Sequence, residues 1–178
     1  MVRLFVALAL PPPLRRQLAS LAAGIPKARW TPEANLHVTL RFIGGVDEVE
    51  AAAIDQALAQ LQAPGFELVV NGCGTYEAGR RGFTLWVGIE RAPLLVHLRD
   101  KIESALVRTG LEPEGRRFQP HVTLARLKDP PLPKLQEWVA GHNLFRATVA
   151  VDHFVLFSSH LGHGEPIYTA EREYPLAG

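Results

Sequence analysis

The 178-residue chain has little sulfur, little serine and almost no excess charge. Its one cysteine, Cys73, excludes an internal disulfide and any cysteine-rich zinc module. With glycine on both sides and no basic neighbour, Cys73 reads as an ordinary strand thiol. Only Ser20, Ser104, Ser158 and Ser159 occur, none in a G-x-S-x-G setting, which argues against a nucleophile-elbow hydrolase. Nineteen Lys+Arg face eighteen Asp+Glu, a net +1. That balance excludes holding duplex DNA by bulk charge, though not a local basic cleft. No apolar run reaches the roughly 18 residues a membrane span needs. The run at 4–10 mimics the core of a signal peptide, but it is short and Pro11, Pro12 and Pro13 follow at once. It reads as a buried first strand, and the expected compartment is the cytoplasm. There is no Walker-type loop and no lysine in a K-x-D-G setting, so ATP-activated ligase chemistry is disfavoured.

What is present is an ordinary globular composition, 47% hydrophobic and 21% charged. A chain of this length buries about 70% of its unfolded surface and needs no staple. Leu14, Leu18 and Leu21 repeat at helical spacing after a proline start. Residues 36–43 read as a strand ending at Gly44-Gly45. Asp47 with Glu50 predicts a capping box, and Ile54, Leu58 and Leu61 a helical stripe. Strands are expected at 66–76 and 83–90, then an amphipathic helix through Leu95, Leu98, Ile102 and Leu106. A strand from His121, a helix near 132–140 and strands at 146–158 and 166–173 complete the reading. Strict β-α-β alternation is absent, so the expected class is α+β, with largely antiparallel sheets and about three helices outside.

One tetrapeptide occurs twice. His37-Val38-Thr39-Leu40 is echoed 84 residues later by His121-Val122-Thr123-Leu124. On a strand, side chains alternate, so His and Thr share one face and Val and Leu the other. One copy alone describes a half-buried histidine on any strand. Two copies in similar settings point to two related lobes, each burying its aliphatics and presenting an imidazole and a hydroxyl. If the lobes face each other, these groups converge on one cleft. There a neutral imidazole can take a proton from water and an imidazolium can give one to a departing alkoxide. Hydroxyls can donate to non-bridging phosphoryl oxygens. In-line displacement at phosphorus needs acid and base on opposite sides, and facing strands supply that without a metal.

At these residues the chain resembles the two-histidine (2H) phosphoesterase superfamily, and most closely its RNA 2′,3′-cyclic phosphodiesterase branch, the LigT-like or "2′-5′ RNA ligase" proteins. The resemblance extends over Arg3-Leu4-Phe5-Val6-Ala7-Leu8, Trp30, Asn35-Leu36-His37, Arg41-Phe42-Ile43-Gly44, Phe118-Gln119-Pro120-His121, Val155-Leu156-Phe157-Ser158-Ser159 and Tyr168. It implies one bilobal domain over 1-178, two pseudo-symmetric α+β lobes around a central cleft, with motifs at 37-40 and 121-124. It implies hydrolysis of RNA 2′,3′-cyclic phosphate ends, tRNA halves among them, to 2′-phosphomonoesters, without metal or other cofactor. Carried onto this sequence, His37 is the proton donor and His121 the proton acceptor, with Thr39, Thr123 and Arg126 on the phosphate. A monomer without an obligate protein partner and without membrane attachment is expected. The same residues also suit ATP-independent 2′-5′ joining, a 2H enzyme acting on a small cyclic nucleotide, or a non-catalytic RNA-end binding module.

Strict alternation turns Arg126 away from the His121 face, so a bulge or a strand end must re-aim it. The same rule places Arg41 on the His37 face as a rival phosphate ligand. Phe42 and Trp30 are candidates for stacking a terminal base, against plain packing. His160 and His163 lack a further ligand at metal spacing and read as surface loop. His97, His142 and His153 read as structural or solvent-facing. Arg15-Arg16, Arg80-Arg81 and Arg116-Arg117 read as solvated pairs, one or two of which can rim the cleft and track RNA phosphates.

Overall fold

A computed structural model describes residues 1–177. In chain order it contains β1 (Val2–Ala9), α1 (Pro12–Ala19), β2 (Arg29–Trp30), a 3-10 turn (Glu33–Asn35), β3 (His37–Val46) and α2 (Glu48–Ala59). Then come β4 (Phe66–Glu77), β5 (Gly82–Ile89), α3 (Pro93–Arg108), β6 (His121–Lys128) and α4 (Leu132–His142). The chain closes with β7 (Arg146–Val151), β8 (His153–His160) and β9 (Ile167–Pro175). The expected α+β class holds, with four α-helices among the described residues where about three were expected. One sheet has the order β3-β1-β8-β9, the other β2-β6-β5-β4-β7. Every strand pairing in both is antiparallel.

The placement of β1 follows from its sequence. Leu4, Phe5, Val6, Ala7 and Leu8 are all buried, as a strand flanked by β3 and β8 and covered on both faces requires. Helix α3 buries Leu95, Leu98, Ile102, Ala105 and Leu106 and packs against both β3 and β4, so it bridges the two sheets. The buried aliphatics of both sheets belong to one continuous core.

Two strand limits differ from the sequence reading. Strand β3 does not stop at Gly44-Gly45 but runs on to Val46 against β1. Leu4 pairs with Gly44 and Phe5 with Phe42, so Ile43 is an extra residue. Gly44, at φ +92°, takes the left-handed conformation that this bulge needs. The apolar stretch 146–158 is two strands in different sheets. β7 pairs with β4, β8 with β1 and β9, and Asp152 between them leaves both ladders while its carbonyl accepts from Leu176. Hydrophobic periodicity carries no mark of such a crossing.

The Asp47 box forms as read: its side chain accepts from the Glu50 amide at 2.8 Å, and Glu50 accepts from the Asp47 amide at 3.2 Å. Asp47→Ala is expected to lower stability by about 1 kcal/mol. Urea unfolding checks this as a lower midpoint at unchanged slope.

Candidate active site

The two motif strands lie in different sheets and approach each other, β3 from one and β6 from the other. Each carries a bulge directly after its threonine. In β3, Ala7 pairs with Thr39 and Val6 with Arg41, which leaves Leu40 extra. In β6, Trp86 pairs with Thr123 and Leu85 with Ala125, which leaves Leu124 extra. An extra residue inverts the alternation beyond it. His37 and Thr39 therefore share the cleft face with Phe42, and His121 and Thr123 share it with Arg126. Arg126 is thus re-aimed toward the cleft. Arg41 is turned away, contrary to the expectation from strict alternation. It is 7% exposed and its guanidinium is bonded to Glu103, in the wall of the cavity that Thr39 and His121 also line.

His37 is enclosed. Its ring lies 5.1 Å from Phe5, 6.4 Å from Phe157 and 5.4 Å from the edge-on Tyr168. Nδ1 lies 2.7 Å from the Asn35 carbonyl, which can only accept, so Nδ1 carries the proton. In the neutral ring, Nε2 then accepts from the Thr39 hydroxyl at 2.8 Å. Burial pulls the imidazole pKa below the ordinary 6.5; the Asn35 carbonyl opposes this, and the nearby His121 charge adds to it. The two histidines thus feel each other across the cleft.

His121 is built on the same plan in different company. Its Nδ1–H donates to the Gln119 carbonyl at 2.7 Å, again two residues upstream. Tyr76 meets its ring edge-on at 5.2 Å, and Trp86 backs Tyr76 at 5.1 Å. Gly74 makes room for that Trp86 ring, since a Cβ there would stand 2.6 Å from it. No protein group among the described residues occupies Nε2 of His121. His121 lines a cavity of about 330 Å³ together with Thr39, Arg41, Phe42, Tyr76, Arg99 and Phe118 among others. Across the cleft, the Arg126 charge reaches the Tyr168 phenol, opposing the upward pull of burial on its pKa.

Thr39 and His121 thus line one cavity, His37 lies within reach of the His121 charge, and the register puts Thr123 and Arg126 on the His121 face of β6. Phe42 lines the same cavity, 56% exposed. Trp30 does not join them; it packs on the core 6.0 Å from Trp138. Cys73 is half-buried, with its thiol 3.5 Å from the Val139 carbonyl. His142 stacks on Trp138 at 4.0 Å, His153 pairs with Asp152, and His97 and His163 are exposed. Sequence reasoning assigned no role to Tyr76 or Tyr168, or to the Asn35 and Gln119 carbonyls. The repeat did mark the last two by position, as the residues two before each histidine.

The lowered His37 pKa has a definite sign. Below 6.5 the unfolded chain binds more protons at this ring than the folded one, so stability rises with pH there. The contribution is fully present above 6.5 and is lost as pH falls through the folded value. His37 ring protons are expected to titrate below 6.5 by NMR, and His37→Gln to flatten the fall in unfolding free energy between pH 7 and 5. A His37 titration at or above 6.5 contradicts the burial argument.

Residues 10–163 match the family model of the 2′-5′ RNA ligase superfamily. The RNA 2′,3′-cyclic phosphodiesterase of Aeropyrum pernix is 36% identical over 159 residues, covering 86% of this chain and 89% of that protein. The enzyme of the same name from Thermotoga maritima is 29% identical, covering 99% and 97%. The crystal structure of E. coli LigT complexed with 3′-AMP superposes with a TM-score of 0.81 at 28% identity, over 99% of both chains. Both histidine strands fall within the matched span, at 37–40 and 121–124, and the chain belongs to the 2′-5′ RNA ligase superfamily.

Proposed function

We propose that this chain hydrolyses RNA 2′,3′-cyclic phosphate ends to 2′-phosphomonoesters, as a single bilobal domain over 1-178 with one motif per lobe. One observation carries the reading. The two histidines lie close enough for their charges to interact, each with Nδ1–H fixed on a carbonyl; Thr39 bonds Nε2 of His37, while no described group bonds Nε2 of His121. An open Nε2 lone pair suits a base. His121 takes a proton from water as the water oxygen bonds to phosphorus. The bond from phosphorus to O3′ breaks on the opposite side, and His37 delivers its Nε2 proton to O3′. The product keeps its phosphate on O2′. The spent pair, His121 charged and His37 neutral, resets by exchange with solvent.

Thr39 has a double part. With His37 neutral, its hydroxyl donates to Nε2. Once His37 is protonated, Nε2 no longer accepts, and the Thr39 hydroxyl is free to donate to a phosphoryl oxygen. Thr123 and Arg126 take the others, Arg126 as a fixed cation. The buried His37 resists its proton in the free protein, and the anionic cyclic phosphate offsets that resistance on binding. Acid, base and anion ligands are all side chains, so the reaction asks nothing of a metal. RNA is the partner in this reading, tRNA halves included, and the protein acts as a cytoplasmic monomer.

A short RNA ending in 2′,3′-cyclic phosphate is expected to yield a 2′-phosphate end in EDTA and without ATP. His37→Ala and His121→Ala should each lose about 10²–10⁴-fold in rate. Product at O3′, or loss of turnover in EDTA, overturns the scheme. The pH profile of kcat/KM should be a bell, because one imidazole must be neutral while the other is charged. A flat profile from pH 5 to 8 counts against the pair.

A further inference from the structure

Turned inward by the Leu40 bulge, Arg41 starts a chain of contacts that ends at the other motif. Its Nε donates to Glu103 Oε2 at 2.9 Å and its Nη2 to Oε1 at 3.3 Å. Nη2 also donates to the Glu112 carbonyl, in the loop that leads from α3 to His121. Glu103 Oε1 accepts from the Glu114 amide of that loop at 3.2 Å. Arg99, one turn before Glu103 on α3, lies 3.6 Å from Oε2 and places its guanidinium over the Phe118 ring at 5.5 Å. Phe118 adjoins Gln119, whose carbonyl holds His121 Nδ1–H at 2.7 Å.

We propose that Arg41, Glu103 and Arg99 are positioning residues that lock the 112–119 loop, and with it the Gln119 carbonyl, so that His121 keeps Nδ1 protonated and Nε2 aimed at the cleft. None of the three is a catalytic residue. Three charged groups form one partly buried knot, with the Glu103 carboxylate serving both guanidinium groups and Asp100 a second contact of Arg99. Arg41 exposes 7% of its side chain, Arg99 15% and Glu103 17%, so Arg41 is buried and its two partners are partly buried. The burial of Glu103 works against its charge, yet the Arg41 hydrogen bond, the Glu114 amide and the two arginines hold its pKa below the ordinary carboxylate value. The Arg99–Phe118 contact is the link through which the knot bears on the residue beside Gln119.

The kinetic arm of the test rests on the proposed phosphodiesterase reading, while the NMR arm does not. Glu103→Gln keeps the shape but removes the shared charge. Phe118→Leu removes the aromatic face, and Phe118→Tyr keeps it. Nitrogen-15 NMR of the free protein should show His121 as a single Nδ1–H tautomer in wild type and Phe118→Tyr. Glu103→Gln and Phe118→Leu should show a mixture, with kcat down about tenfold or more and KM within about threefold. If Glu103→Gln does not fold, the Phe118 pair decides. A lower Tm with an unchanged His121 spectrum and kcat makes the network merely structural and overturns the proposal. If wild type turns over no cyclic-phosphate RNA, the phosphodiesterase reading fails, and the His121 spectra alone uphold or overturn the network.

Discussion

One extra residue in each motif strand, Leu40 in β3 and Leu124 in β6, settles which side chains reach the cleft. Without the bulges, the strand that points His and Thr at the cleft would point Arg41 there too, and would bury Arg126 in the core. A buried guanidinium with no carboxylate is costly. With the bulges, Ala125 fills the core position at no polar cost and Arg126 stays outside. In β3 the same device buries Arg41, which is tolerable only because α3 brings Glu103 against it. The placement of α3 across both sheets is therefore bound to the geometry of the site.

The two motifs share a local plan but not surroundings. In each, a carbonyl two residues upstream fixes Nδ1–H and so directs Nε2 into the cleft. Beyond that they diverge. His37 is walled by Phe5, Phe157 and Tyr168, and Thr39 covers its Nε2. His121 has only Tyr76 edge-on and an open nitrogen. Identical tetrapeptides thus sit in unequal electrostatic environments. In the proposed reaction one imidazole must be neutral and the other charged, so the bound phosphate anion has to offset the burial that opposes a charge on His37.

Much of this was legible in the sequence. The repeat located both histidines and both threonines, because alternation within a three-residue span survives any later bulge. The Asp47 box and the α3 stripe were readable because both are local patterns. Arg41 was misplaced because nothing in His-Val-Thr-Leu-Arg marks Leu40 as a bulge; the mark is the register against β1, a non-local fact. For the same reason 146–158 read as one strand. The Asn35 and Gln119 carbonyls were invisible as functional groups because every residue has one.

The bulges also make the cleft lopsided in a useful way. Counting from each threonine, Phe42 and Arg126 hold equivalent places on opposite strands. One lobe therefore offers an exposed aromatic ring where the other offers a fixed cation. An RNA 3′ end is lopsided in the same sense, with an anionic phosphate on one side of the ribose and a flat base on the other. A symmetric cleft would accept that end in two orientations, only one of which sets O3′ against His37. In the proposed reaction, with the phosphate between the two histidines, the β6 cation would favour the anionic side of that end and the β3 ring its base. The pseudo-symmetry that pairs the histidines is thus broken at the next cleft-facing position, where orientation has to be chosen.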